Sequence, residues 1–285
     1  MILNGSMGSS ITVLVENTAC LGSGRGIWAE HGLSYWIDTG VSRVMFDTGA
    51  SGTVLEHNAG RLGFDVKTAD AIILSHGHLD HVGGLETVLR MAPGVPIYMH
   101  PDATRPKFTG LPGRTHRSDS LFFVGGAFRE NGRKVVESRT AMEVTKGIWM
   151  TGEVPRTNTY ENTGGPFCAD PDGTIPDPLL DDQALFIPTD KGTIVVTGCA
   201  HAGLINTLEY VKNLTDGEPI RFVIGGTHLE TATPERMEKT FAELRRLGVT
   251  EIHPCHCTGL VQSVRLCESV GGASKPGFSG MKIEW

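Results

Sequence analysis

The 285-residue chain has no apolar run of about 18 residues, which excludes a membrane-spanning helix. It has no basic surplus. Its 25 Lys and Arg are set against 32 Asp and Glu, and the net charge of −7 argues against a nucleic-acid partner, which requires a basic face. Its six cysteines are too few for a disulfide scaffold at this length, and Cys255 and Cys257 flank His256, an awkward place for a bridge. A reducing, cytoplasmic setting is the expectation. Residues 1–10 lack a basic stretch followed by a long apolar one, so they read as a flexible lead-in rather than an export signal. No repeat of solenoid length and no low-complexity linker interrupts the rest, so 11–285 is expected to form one domain.

What is present is a succession of short buried-strand signals. Ile11–Val15, Leu33–Ile37, Arg43–Phe46, Ala71–Leu74 and Pro96–Met99 come early, with helical stretches over 53–62 and 85–91. Gly63 suits the end of the first helix. Residues 101–133 and 162–178 read as long irregular segments, of the kind that carry function. Strand signals return at 134–136 and 147–150. Ala184–Ile187 and Thr193–Val196 flank Asp190-Lys191-Gly192, a hairpin signature. Later, a helix over 204–214, a strand over 221–224 and a helix opened by Thr233-Pro234-Glu235 alternate up to Glu251–His253. This order predicts sheets with helices packed outside them, an α/β (α+β) fold.

The chemistry concentrates in His76-Gly77-His78-Leu79-Asp80-His81, directly after a buried strand. Three imidazoles and a carboxylate in six positions are metal-ligand types, and nitrogen with oxygen donors suits zinc, manganese or iron better than calcium or magnesium. Gly77 is expected to let the chain curl through an unusual backbone angle. One ion rarely takes four ligands from six consecutive residues, so two ions are expected to share the loop. A histidine-rich surface loop is the competing account, disfavoured because the run uses three of only eleven histidines and sits at a strand end. Further ligands must come from afar, and His201 and His256, each just past a buried strand, are the natural donors.

His76-x-His78-x-Asp80-His81 after a strand, together with Phe46-Asp47-Thr48-Gly49, resembles the metallo-β-lactamase superfamily. Thr151-Gly-Glu-Val-Pro-Arg156, Thr197-Gly-Cys-Ala-His-Ala-Gly203, Gly225-Gly-Thr-His-Leu229 and His256-Cys-Thr-Gly259 resemble its dihydropteroate-synthase-like branch, that of the dihydropterin-methyl-ribofuranosylaminobenzene phosphate synthases. The resemblance implies a four-layer αβ/βα sandwich with two metals in a cleft. It implies His76, His78 and His201 around a first ion, Asp80, His81 and His256 around a second, and Asp47 behind them fixing the loop. Two departures stand out: Gly198-Cys199 occupies the place of a common bridging aspartate, and Glu153 lies near where a third histidine often sits. Cys199 is read as a small buried residue rather than a thiolate ligand.

Several residues are candidates for substrate contact. His228 follows Gly225-Gly226 and reads as an acid or phosphate binder, or as a turn histidine. His31, Arg156 and Asp182 are assigned to substrate binding. Arg114 and Arg117 read as solvated loop arginines, His57, His100 and His116 as structural, and Trp28 as core. The leading expectation is a dinuclear-metal hydrolase, acting through a metal-bound hydroxide on a small anionic ester, phosphoester or lactone, with Asp80 and His228 as catalytic groups. Two divalent ions are expected, zinc first, with manganese, iron or nickel as the other candidates. The alternatives are a transferase joining a pterin-methyl diphosphate to a ribofuranosylaminobenzene phosphate with release of pyrophosphate, and a non-catalytic metal sensor. Neither a nucleic-acid partner nor a membrane is expected, and the oligomeric state is open.

Overall fold

A computed structural model describes residues 8–19, 26–130 and 132–285. Of the expected lead-in, 1–7 lie outside the described residues, and Ser10 already belongs to the first strand, paired with Asp38 and Glu284.

In the N-terminal half, β1 (Ser10–Val15), β2 (Ser34–Asp38), β3 (Arg43–Phe46), β4 (Ala71–Ile73) and β5 (Ile97–Met99) alternate with α1 (Thr53–Leu62), α2 (Leu79–Val82) and α3 (Leu85–Met91). Next come β6 (Phe108–Leu111), β7 (Arg114–Arg117), α4 (Leu121–Val124), β8 (Val135–Glu137), β9 (Met142–Thr145), β10 (Ile148–Met150) and β11 (Phe167–Cys168). The C-terminal part holds β12 (Ala184–Ile187), β13 (Thr193–Thr197), α5 (Leu204–Leu214), β14 (Ile220–Gly226), α6 (Pro234–Leu247), β15 (Ile252–Cys255), α7 (Leu260–Val270) and β16 (Lys282–Glu284).

Two large sheets form, in the orders β16-β1-β2-β3-β4-β5-β8 and β15-β14-β13-β12-β10-β9. The period of two along their strands sorts side chains onto two faces. On β2 and β3, Tyr35, Ile37, Val44 and Phe46 enter a core shared with Ile194, Val196, Phe222 and Ile224 of the second sheet. The alternate residues Trp36 and Met45 instead meet Leu55, Leu85 and Val88 of α1 and α3. Val195 and Val223 meet Leu208, Met237, Phe241 and Leu266 of α5, α6 and α7. Three apolar cores between four layers make the αβ/βα sandwich. The parallel runs β3-β4-β5 and β13-β14-β15 end on the same side as the residues that follow them in the site.

Cap chemistry fits the sequence well. Gly63 and Gly248 close α1 and α6 in the left-handed conformation, and the Thr233 hydroxyl accepts from Arg236 N at the start of α6. The 101–133 segment departs from expectation. Its polar, glycine-punctuated run folds into the β6–β7 hairpin, which with β11 makes a third sheet, because Phe167 and Cys168 complete the ladder from 50 or more residues away. Trp28 is half-exposed and stacks on His57 at 3.6 Å instead of entering a core.

Candidate metal centre

The loop after β4 is held in place by the protein's own hydrogen bonds. Asp47, at the end of β3, accepts from Ser75 N (2.7 Å), Ser75 Oγ (2.6 Å) and His81 Nδ1 (2.7 Å). Gly77 N donates to Asp181 Oδ2 at 2.8 Å, and the other Asp181 oxygen binds the buried Lys107 ammonium at 2.8 Å. Gly77 itself has no left-handed backbone angle. Glycine is required there because a Cβ would lie 2.0 Å from the Ala103 carbonyl oxygen, which corrects the expected reason for it. Among the described residues, four of the six non-glycine residues with positive φ stand at the site: Asp47, Ala200, His228 and His256. Backbone strain of this kind persists where the surrounding structure holds it, often at functional sites.

His76, His78 and His201 converge. His76 Nε2 lies 2.9 Å from His78 Nδ1 and 3.3 Å from His201 Nε2. Their partners assign the ring protons. The Thr163 carbonyl only accepts, so His201 Nδ1 carries the hydrogen at 2.7 Å. Ser75 Oγ donates to the Asp47 carboxylate, so His76 Nδ1 must donate to Ser75 Oγ at 2.9 Å. The Nε2 lone pairs of His76 and His201 therefore face one another. A proton on His78 Nδ1 can satisfy only one of them, and His78 Nε2, buried, has no partner. Burial, then neighbouring imidazoles, keeps His76 and His201 well below the usual histidine pKa, and burial brings His78 down to about 3. Three neutral imidazoles with converging lone pairs fit a divalent cation.

A second group adjoins the first. Asp80 Oδ2 is 3.0 Å from His256 Nε2, 3.2 Å from His31 Nε2 and 3.9 Å from His81 Nε2. Asn17 Oδ1, which also accepts from Gly32 N, takes the His256 Nδ1 hydrogen at 2.8 Å, so Nε2 again points a lone pair at a carboxylate. Burial would raise the Asp80 pKa, but His81, His256 and His31 hold it well below the carboxylate range. Burial likewise lowers His81, yet Asp47 and Asp80 outweigh it and push that ring up to about 9. This position demands positive charge, which a proton or a metal ion can supply.

Cys199 lies between the groups, its Sγ 3.1 Å from His81 Nε2 and close to donor atoms of His76, His201 and His256. It is buried, as expected, but it faces the cluster and stands within reach of both groups rather than behind them. His31, exposed, joins Asp80 and His256. Four other assignments change. Glu153 faces His100 and Arg139, at 3.8 and 3.7 Å, and no contact joins it to the cluster. Arg156 spends its donors on the carbonyls of His201, Pro178 and Leu179, buckling two loops together instead of presenting a fork to an anion. Asp182 is buried under the His201 loop, accepting from Ala202 N at 2.9 Å, and burial raises its carboxyl to about 6. It positions that loop and does not reach the cleft. Burial brings His228 down to about 4, so at neutral pH it offers a hydrogen bond but is no imidazolium acid.

His78, Asp80, Cys199, His228 and His256 line an open cleft of about 660 Å³. Its other wall comes from Thr109, His116, Arg117 and Phe167 of the third sheet. Sequence reasoning missed these because no local pattern places a hairpin over a site. Arg117 is committed to Asp119, whose two oxygens it binds at 2.8 and 3.0 Å, so its charge is largely answered. The described cysteines are unpaired, and among the described residues no helix is long and apolar enough to cross a membrane.

A cluster of histidine, aspartate and cysteine donors on an αβ/βα sandwich fits one class of protein, and the chain belongs to the metallo-β-lactamase superfamily, whose family model matches residues 27–256. A curated relative, the 7,8-dihydropterin-6-methyl-4-(β-D-ribofuranosyl)-aminobenzene-5′-phosphate synthase of Methanocaldococcus jannaschii, is 32% identical over 266 residues, 87% of each chain. A solved metal-dependent hydrolase of the β-lactamase superfamily superposes with a TM-score of 0.80 at 30% identity, covering 97% of this chain and 99% of that one. A metallo-β-lactamase fold protein of Bacillus subtilis, at 16% identity and a TM-score of 0.59 over 97% and 99%, shares the fold.

The two groups differ in their proton load, so any ions they bind are expected to respond differently to pH. His76, His78 and His201 are already neutral, so an ion there displaces no proton until strongly acid pH. An ion bound by His81 must displace a proton held up to about pH 9. Affinity at the second group should fall about tenfold per pH unit on acidification, while the first group holds its ion. Dialysis at pH 5 followed by elemental analysis should find about half the metal retained at pH 8. Equal retention at both pH values, or complete loss at pH 5, contradicts the assignment.

Proposed function

We propose that the chain is a dinuclear-metal hydrolase acting on a small anionic ester, phosphoester or lactone. The observation that carries this is the placement of two adjoining donor groups, His76/His78/His201 and Asp80/His81/His256, beside an open cleft whose wall includes His78, Asp80 and His256. A sensor or purely structural site would be closed, whereas catalytic sites keep a coordination position for water or substrate. Divalent ions there, zinc first, would supply Lewis acidity and lower the pKa of a bound water.

The chain's own residues set the rest. Asp47 and Ser75 fix the ring orientations of His76 and His81. Asp80 holds a carboxylate oxygen among three imidazoles, where it can accept a proton or orient a water while remaining a ligand. His228, its ring centroid 4.3 Å from that of His201 and tilted 35° to it, offers a neutral imidazole to substrate. The solved hydrolase at 30% identity supports this reading.

A second reading is favoured by the 32% identical synthase. Here an arylamine takes the place of water and displaces pyrophosphate from a pterin-methyl diphosphate. One experiment separates the two. The purified, metal-assayed protein is incubated with a panel of esters, lactones and phosphoesters, and separately with the pterin-methyl diphosphate plus the ribofuranosylaminobenzene phosphate. Turnover of the panel without coupled product supports the hydrolase. Coupled product with a silent panel replaces it by the transferase, and silence in both arms defeats both readings.

A further inference from the structure

Arg236, in the first turn of α6, is a buried cation without an adequate partner. It is 5% exposed, and its Nε and Nη2 are closed off from solvent and make no hydrogen bond. Only Nη1 is engaged, donating to Asn162 Oδ1 at 2.7 Å. The carboxylate whose field it feels, Glu161, is committed elsewhere, accepting from Ile205 N, Asn206 N and Asn158 Nδ2. Glu235, the acid next to it in sequence, pairs with Lys239 at 2.8 Å. A buried guanidinium with spare donors is costly unless an anion answers it.

Arg236 forms part of the wall of a second cavity, of about 420 Å³. Asn162, Gly164, Gly165, Thr231 and Thr233 line it too, so it combines hydroxyls, a glycine-rich turn and the N-terminus of a 14-residue helix. Tyr160 is also part of the wall. The loop that makes this cavity also backs the metal-ligand cluster. The Thr163 carbonyl holds His201 Nδ1 at 2.7 Å, and Gly164 packs so closely on His228 that a Cβ would lie 2.5 Å from its Nδ1.

We propose that this cavity is a phosphoryl-binding subsite in which Arg236 and the N-terminus of α6 receive an anion beside the metal centre. A guanidinium has the forked donor arrangement that suits phosphate oxygens, and the helix N-terminus adds its partial positive charge. That the anion is the phosphoryl end of the substrate rests on the anionic-substrate reading above. Free phosphate has the same chemistry.

Thermal unfolding of the full chain in increasing inorganic phosphate tests the subsite without requiring turnover, so its failure leaves the reaction assignment standing. Phosphate should raise Tm in the parent and equally in His78→Ala, in which the metal cluster is impaired. Arg236→Met should lose the phosphate-induced shift while its Tm without phosphate stays at or above the parent's, because an unanswered buried charge is gone. Should Arg236→Met fail to fold, Arg236→Lys decides: it keeps the charge but not the fork and should bind phosphate about tenfold more weakly. A shift retained in Arg236→Met, or an unchanged phosphate affinity in Arg236→Lys, overturns the proposal. So does a shift lost in His78→Ala, which places the anion at the metal cluster. If the subsite serves the substrate, phosphorylated members of the panel should show a raised KM in Arg236→Lys while unphosphorylated esters do not.

Discussion

His78→Ala protein is expected to fold, to bind less metal than the parent, and to lose at least about 100-fold in activity, the upper end of what removal of a mere outer-shell partner costs. His78 brings Nδ1 to 2.9 Å from His76 Nε2 and keeps its Nε2 buried without a partner. Removing the ring therefore deletes one of three converging donors and also one unsatisfied buried nitrogen. The second effect offsets part of the lost packing, so the metal-free variant should unfold within about 1–2 kcal/mol of the metal-free parent. The difference appears when metal is added: the parent gains stability by mass action and the variant gains less. Elemental analysis and paired melts with and without metal check this. Unchanged metal content removes His78 from the ligand set.

The second large effect is expected at a residue with no functional group. An alanine at Gly77 would place its Cβ 2.0 Å from Ala103 O, 2.9 Å from Ala103 C and 2.9 Å from Lys107 Cε. Lys107 is itself tied to Asp181, which holds Gly77 N, so the lysine cannot simply withdraw. The backbone of 76–78 or of the turn at 101–104 must move instead. A cost of about 3 kcal/mol or more is expected, the upper range for overpacking, with loss of metal as His76 and His78 separate. Gly60→Ala is the control. Gly60 lies inside α1, a Cβ there meets nothing within 4 Å, and the substitution should stabilise by about 0.5–1 kcal/mol. Denaturant melts of both variants, read with metal content, check the pair. A Gly77→Ala protein with parental stability and metal content shows that the loop relaxes freely, contrary to the packing described.

The two variants fail for different reasons, and the difference tracks how each residue could be read. His78 carries its chemistry in its side chain, so its role was visible beside His76, Asp80 and His81. Gly77 also stood out, but for the wrong reason: its backbone angle is ordinary, and the contact that requires glycine comes from a turn 26 residues further on. Arg156 and Asp182 were misread in the same way. An arginine in a loop looks available to an anion until the carbonyls of Pro178, Leu179 and His201 are seen to surround it. Arg236 was hidden by the opposite circumstance. It sat in an ordinary helix start, and its unpartnered burial exists only once Asn162 and α6 are brought together.

What the sequence determined alone is what depends on neighbours along the chain. Strand periodicity, the glycine stops of α1 and α6, the Thr233 cap and the donor types of 76–81 all act over a few residues, and they were sufficient for sheets with helices packed outside them and for one half of the candidate metal centre, with His201 and His256 already named as candidates for the rest. Only the tertiary structure decided which distant groups meet that half: Cys199 between the two donor groups, His31 beside Asp80, and the β6–β7 hairpin across the cleft. Those contacts are set by strand order and sheet packing. The free energy that fixes them is spread over three apolar cores, and no single segment carries its sign.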